Sequence, residues 1–204
     1  NIMSAMAFSA LFALIFIGCS FFLSKIAFMA SVPVLIFLAC YSFMKRIHFL
    51  THLYLGLCLG MAPSAVFIAL TGNVSPSLAF LGLGIAFWTA GFDILYSLQD
   101  MTHDRKVGLN SIPSQYGVKG ALYISRGLFA AMVGILYYIG QNNAFGGLYF
   151  LGVIFVAVLL AYEHYLVKDA VNGDKLPNIG KAFFDLNAWV SVGFLLFVIG
   201  DRLI

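Results

Sequence analysis

Four polar residues between positions 93 and 104 have types and a spacing that suit chemistry. Asp93, Ser97, Asp100 and Asp104 lie in the stretch DILYSLQDMTHD, which begins inside an apolar run and leads into a polar loop. Their offsets from the first aspartate are four, seven and eleven residues. A helix of about 3.6 residues per turn therefore brings all four within about 40° of one another, with Asp93 roughly 10 Å deeper along the axis than Asp100. Such a column of carboxylates is a candidate for metal binding and acid–base chemistry.

Asp93 is the most costly member of the column. A charged aspartate deep in an apolar helix is disfavoured by about 2.5–3.5 kcal/mol on insertion scales, and such residues face wet cavities and mark substrate or ion paths. The structural alternative is an aspartate that is protonated or hydrogen-bonded and locks two helices together.

Asp100 and Asp104 lie one turn apart at the mouth of the same helix. Two carboxylates with this spacing suit Mg²⁺, which prefers oxygen ligands and commonly joins one or two carboxylates to substrate phosphates. Lys45 and Arg46 precede the next apolar run and could hold the same phosphates. The structural alternatives are a solvated helix end for the acids and topological anchoring for the bases.

The composition is that of an integral membrane protein made of helices. Of its 204 residues 62% are hydrophobic and only 9% are charged, whereas a soluble domain carries about a quarter charged residues. The net charge of +3 is too small to suggest nucleic acid as a partner. The three cysteines have no metal-ligand spacing and are expected to be free thiols in apolar segments.

Seven apolar stretches are long enough to cross a bilayer, so an all-α, polytopic transmembrane bundle of seven helices is expected. They lie at about 5–24, 26–44, 50–71, 77–99, 119–140, 146–167 and 182–201. Gly56 and Gly60, and then Gly82 and Gly84, are spaced as in helices that pack closely within lipid.

Basic residues cluster on one side if the seven spans alternate in direction. Positive-inside bias then places the loops that carry Lys45 and Asp100 in the cytoplasm. We expect a bacterial inner (cytoplasmic) membrane, with the acidic site facing the cytoplasm.

The residues around the acidic column resemble a known family. The stretch DILYSLQDMTHDRKVGLNSIP at 93–113 resembles the second aspartate-rich motif of the UbiA family of membrane prenyltransferases. The stretches YSFMKR at 41–46 and HLYLGLCLG at 52–60 resemble the segment after that family's fourth helix. YEH at 162–164 and NAWVSV at 187–192 are also similar. The resemblance runs over nearly the whole chain.

One element of the family pattern is absent. The family's first aspartate-rich motif has no counterpart here, and the seven spans resemble its third to ninth helices. We therefore expect residues 1–204 to form a single transmembrane prenyltransferase domain that is incomplete at its N-terminal side, with nine helices in the complete protein.

The resemblance implies transfer of a polyprenyl group from polyprenyl diphosphate to an aromatic acid such as 4-hydroxybenzoate, in quinone biosynthesis. It implies Mg²⁺ held by Asp100 and Asp104, and catalytic roles for these two and for Asp93, which would orient or deprotonate the acceptor phenol. The implied substrate-binding residues are Lys45, Arg46, Tyr96 and Ser97. Arg46 would hold either the diphosphate or a carboxylate of the acceptor.

Other functions stay open at this point. A hydroxynaphthoate of menaquinone biosynthesis is an alternative acceptor, and a cation or proton transporter using Asp93 is an alternative of another class. The oligomeric state is not indicated. His52 is expected to be interfacial or part of the core, and Glu163 to lie near a cytoplasmic helix end where its carboxylate reaches water.

Overall fold

The computed structural model describes residues 1–167 and 179–204, with side chains in the second range from residue 184 onward. The described residues are helical and contain no strand. The α-helices are α1 (Ile2–Leu23), α2 (Lys25–Ile47), α3 (Thr51–Gly60), α4 (Ala62–Thr71), α5 (Pro76–Tyr96), α6 (Met101–Val107), α7 (Ile112–Asn142), α8 (Gly147–Val167) and α9 (Ile179–Leu203). A short 3₁₀-helix, Ser97–Asp100, joins α5 to α6.

Seven helical segments in the described ranges are long and apolar enough to cross a membrane, which confirms the predicted bundle. The third predicted span is divided at Met61 into α3 and α4, and Pro63 lies in the first turn of α4, where a missing N–H is tolerated. The fifth begins earlier than expected, because α7 starts at Ile112 and is interrupted only by Gly117 at φ 67°. Backbone with positive φ favours glycine.

Helix α5 is the centre of the bundle. It packs most extensively against α7 on one side and α3 on the other, and α8 pairs with α9. The main apolar core lies among α5, α7, α8 and α9, and Leu95, Phe129 and Val156 are buried within it. Helices α1 and α2 instead expose most of their apolar side chains, as expected for surfaces in contact with lipid.

The crossing of α3 and α5 is unusually close. A Cβ atom on Gly56 would overlap with the carbonyl group of Ala86, and one on Gly60 with the carbonyl oxygen of Gly82. The close packing predicted from these glycines is therefore present, and it brings the two backbones together along one seam.

The ends of α8 and α9 are joined at the membrane face opposite the acidic residues. Asp201 accepts hydrogen bonds from the backbone N–H groups of Gly146 (2.7 Å) and Tyr149 (3.0 Å) at the start of α8. Arg202 donates to the carbonyl of Asn143 at 3.1 Å. A carboxylate at a helix N-terminus is favoured by both the free N–H groups and the helix dipole.

Candidate active site

The acidic residues are carried by two helices with a break between them. Helix α5 ends at Tyr96, and four residues of 3₁₀-helix follow before α6 begins at Met101. A 3₁₀-helix has about 3.0 residues per turn, so the angular spacing of a single α-helix does not continue through it. The predicted column is therefore only partly right. Its four residues lie at one end of the bundle, but Asp93 contacts α3 whereas Asp104 contacts α2.

Asp93 and Ser97 share His52 of α3 as a partner. Nδ1 of His52 lies 2.6 Å from Oδ2 of Asp93, and Nε2 lies 3.5 Å from Oγ of Ser97. The histidine is 2% exposed, whereas the aspartate side chain is 23% exposed. Asp93 therefore has one oxygen held by a buried ring and a side chain that is still accessible.

Asp104 is buried and meets Lys45 of α2. Its side chain is 1% exposed, and Nζ of Lys45 lies 2.9 Å from Oδ1. The contact is an ion pair, and Oδ2 of Asp104 has no hydrogen-bond partner among the described residues. The expectation that Asp104 lies at a solvated helix mouth is wrong, because α6 turns this side chain toward α2.

Of the other predicted site residues, three are exposed and Ser97 is buried. Asp100 and Arg46 are exposed. Tyr96 is 40% exposed, and its ring makes an edge contact with Phe184 of α9 at 6.4 Å. Ser97 is buried, and its hydroxyl donates to the carbonyl of Ile94 at 2.9 Å.

The loop after α6 is tied to the end of α2. The backbone N–H of Asn110 donates to the backbone carbonyl of Lys45 at 2.7 Å. The side-chain amide of Asn110 donates to the backbone carbonyl of Arg46 at 3.4 Å. Gly108 ends α6 with φ 70°, a conformation that other residues adopt only with strain. The two basic residues and the acidic motif, far apart in sequence, are thus joined through backbone atoms.

The donors at this end of the bundle fit a hard divalent cation in their chemistry. Asp104 has a buried oxygen, Oδ2, without any partner among the described residues, and Asp100 offers a second carboxylate. In the described ranges no group of three or more His, Cys, Asp or Glu side chains is arranged to hold a metal. Two carboxylates suffice for Mg²⁺ only where substrate phosphate and water complete the coordination.

Sequence reasoning missed two buried residues. His52 is buried, as the expected core position allows, but its contact with Asp93 was not anticipated, although a histidine beside the apolar run that follows it is an unusual residue. Glu163 was expected to reach water, which is wrong: its side chain is 1% exposed and bonded to Asn187 of α9. Oδ1 of Asn187 in turn accepts from Nε1 of Trp88 at 3.0 Å, so the chain of polar contacts crosses α8, α9 and α5.

Comparison with known proteins gives consistent matches. Residues 2–187 match the UbiA prenyltransferase family. A 4-hydroxybenzoate octaprenyltransferase of Marinobacter nauticus is 30% identical over 149 residues, which cover 73% of this chain and 48% of the relative. A 4-hydroxybenzoate solanesyltransferase of Synechocystis sp. is 29% identical over 182 residues, covering 88% of this chain and 59% of the relative. The chain thus spans about half the length of these curated relatives.

Two solved structures have the same fold. A UbiA homologue from Aeropyrum pernix K1 superimposes with a TM-score of 0.83 at 27% identity, covering 99% of this chain and 74% of that one. A digeranylgeranylglyceryl phosphate synthase superimposes with a TM-score of 0.74 at 21% identity, covering 100% of this chain and 71% of that one. The family match extends over most of the sequence and includes all the acidic residues of the site. The chain is therefore a member of the UbiA prenyltransferase family.

Proposed function

We propose that this chain carries the second half of the active site of an aromatic polyprenyltransferase, which transfers a polyprenyl group from its diphosphate to an aromatic acid in quinone biosynthesis. The supporting observation is that two groups of side chains lie at the same polar end of the bundle. One is the accessible carboxylate of Asp93, and the other, a few turns further along the chain, contains Asp104 and Lys45. Family membership and the names of the relatives favour this chemistry over cation or proton transport.

The cluster formed by Asp100, Asp104, Lys45 and Arg46 is the proposed diphosphate end of the site. Asp100 and Asp104 would hold Mg²⁺, which when bound supplies positive charge that neutralises the diphosphate leaving group. Lys45 and Arg46 bind and orient the phosphate oxygens, and Arg46 is exposed and can form two parallel hydrogen bonds with them. Stabilising charge on the leaving group favours ionisation of the allylic carbon–oxygen bond.

Asp93 is the proposed acceptor end of the site. The carboxylate of Asp93 is accessible, and His52 bonds one of its oxygens. Asp93 can therefore accept a hydrogen bond from the hydroxyl of the acceptor and take the hydroxyl proton as the aromatic ring attacks the allylic carbon. Tyr96 and Ser97 lie one turn further along and would border the acceptor or the first isoprene unit. The surrounding apolar helices exclude water, which would otherwise capture the allylic cation.

The preferred acceptor is 4-hydroxybenzoate, since the relatives above are named for it, and a hydroxynaphthoate is the alternative. The distribution of basic residues supports an orientation with Lys45 and Asp104 in the cytoplasm. In this orientation both water-soluble acceptor and diphosphate product exchange with the cytoplasm.

The test is product analysis on the complete protein in detergent or nanodiscs. Phenolic acceptors with and without a carboxylate are combined with prenyl diphosphates of several lengths, and products are identified by mass spectrometry. We expect a carbon-prenylated 4-hydroxybenzoate that forms only with a divalent metal. A lower preference for carboxylated acceptors in Arg46→Ala would assign that arginine to the acceptor rather than to the diphosphate. Absence of any prenylated aromatic product across the panel would overturn the proposed function.

A further inference from the structure

We propose that His52 is a positioning residue that holds Asp93 in its charged form and in the orientation needed to take the acceptor's hydroxyl proton. The inference rests on the proposed function and extends it to a residue on another helix. It is carried by contact geometry at the α3–α5 seam.

The contact between the two side chains is short and buried on one side only. Nδ1 of His52 is 2.6 Å from Oδ2 of Asp93, and the ring is 2% exposed. Among the described residues Oδ1 of Asp93 has no hydrogen-bond partner, and the side chain is 23% exposed. His52 therefore contacts Asp93 from inside the protein, and the second oxygen is left for a ligand.

The partners of the ring nitrogens indicate how protons are arranged. The hydroxyl of Ser97 donates to the carbonyl of Ile94 at 2.9 Å, and its oxygen lies 3.5 Å from Nε2 of His52, at the outer limit of a hydrogen bond. The carboxylate of Asp93 is the acceptor at Nδ1. An N–H at Nδ1 that donates to this carboxylate stabilises its ionised form and fixes its orientation.

A fixed, ionised Asp93 balances the proton transfers of the reaction. As the ring carbon bonds to the allylic carbon, the carbon–oxygen bond to diphosphate breaks and its electron pair leaves with diphosphate. The acceptor O–H proton moves to Oδ1 of Asp93, which leaves a dienone. The ring then loses the proton at its new carbon–carbon bond to the departing diphosphate, and the proton on Asp93 returns to oxygen. His52 keeps its own protons throughout, so it acts through Asp93 and not on the substrate.

The experiment compares His52→Leu and His52→Gln in the complete protein, with His48→Leu as matched control. His48 is an exposed histidine four residues away on the other side of the start of α3. We expect His52→Leu to lower kcat with the acceptor by about 10²-fold, the lower end of what acid–base groups contribute. KM for the prenyl diphosphate should stay within about twofold, because the diphosphate end of the site is untouched. His52→Gln, which can still donate to Asp93, should recover part of the loss, and His48→Leu should retain full activity.

Two further measurements separate positioning from general damage. The loss in His52→Leu should shrink for acceptors with more acidic hydroxyl groups, which depend less on a base. In an Asp93→Asn background, His52→Leu should lower kcat little further, because the effects of mutating two residues that act as a unit do not add. Losses that add fully, or that are equal for all acceptors, would overturn the role of His52. Absence of product with the unmodified protein would instead overturn the proposed function and this role with it.

Discussion

Gly60 of α3 and Gly82 of α5 lie so close that a Cβ atom on either would overlap with the carbonyl oxygen of the other. One turn nearer the acidic end, a Cβ atom on Gly56 would overlap with the carbonyl group of Ala86. Nearer still to the acidic end of the same crossing, His52 and Asp93 meet at 2.6 Å. The hydrogen bond at the site thus spans the two helices whose separation these glycines determine.

We expect Gly56→Ala and Gly60→Ala each to destabilise the protein and lower activity. The added methyl group meets backbone atoms that cannot rotate away, so the helices must separate, at a cost of roughly 1–3 kcal/mol. Gly127→Ala is the control, because this glycine of α7 has open space around its Cβ position and alanine favours a helix. Thermal unfolding in detergent and acceptor turnover are measured together. Equal melting temperatures for Gly56→Ala and Gly127→Ala would show that α3 and α5 can move apart without loss of stability, which would contradict this prediction.

Replacing Lys45 with methionine should change how the protein responds to metal. Lys45 neutralises the buried Asp104, so its removal leaves an unpaired carboxylate, which is costly in an apolar environment. A divalent cation can then supply the missing charge. We expect Lys45→Met to melt at a lower temperature than the unmodified protein without metal, and to gain more from added Mg²⁺.

The matched control for this experiment is Lys106→Met, since Lys106 is exposed on α6. Lys106→Met should show the same metal response as the unmodified protein. A metal response in Lys45→Met no larger than in the control would contradict a metal site at Asp104. Binding of inorganic diphosphate, measured by calorimetry in the presence of Mg²⁺, should also be weaker in Lys45→Met than in Lys106→Met.

Asp100→Ala and Asp104→Ala should each abolish metal-dependent product formation while the protein still inserts into membranes. Both carboxylates are proposed ligands, and loss of one leaves Mg²⁺ with too few protein oxygens. Removal of metal by a chelator should have the same effect on the unmodified protein, reversed by adding Mg²⁺. Unchanged turnover in either variant, with insertion verified by membrane fractionation, would remove that residue from the ligand set.

Asn187→Leu should lower stability without touching the acidic site. Asn187 bonds both Trp88 and Glu163, and its loss takes a partner from the buried Glu163 carboxyl and from the half-buried Trp88 N–H, at about 1–3 kcal/mol for each fully buried group left unpaired. Asn142→Leu is the control, because that amide is exposed and bonds only within its own helix. Unfolding temperatures should fall clearly in the first variant and little in the second. A similar fall in both would mean that the contacts of Asn187 with α5 and α8 contribute little.

The spans and their number were predictable from the sequence because bilayer thickness dictates the length of apolar helices. Asp93 stood out in the sequence for a related reason, since an ionisable group within a span is rarely accidental, and the structure leaves its side chain 23% exposed. The grouping of Asp104 with Lys45 was anticipated only loosely, as two halves of one phosphate site.

The partners of these residues were less accessible to sequence reasoning. His52 lies 41 residues before Asp93, and their contact depends on how closely α3 crosses α5. The burial of Asp104 depends on a change to 3₁₀ geometry over Ser97–Asp100, which breaks the α-helical angle on which the predicted column relied. Glu163 was misplaced because distance from a helix end does not indicate which neighbouring helix covers a side chain.

The hydrogen bonds that Asp201 accepts at the start of α8 constrain how sequences of this family can diverge. Its two hydrogen bonds set the axial offset of α8 against α9 at the membrane face opposite the acidic residues. The same offset determines which level of α8 faces which level of α9, and so it also keeps Glu163 opposite Asn187. Among homologues, the acid that anchors this face should therefore be replaced seldom.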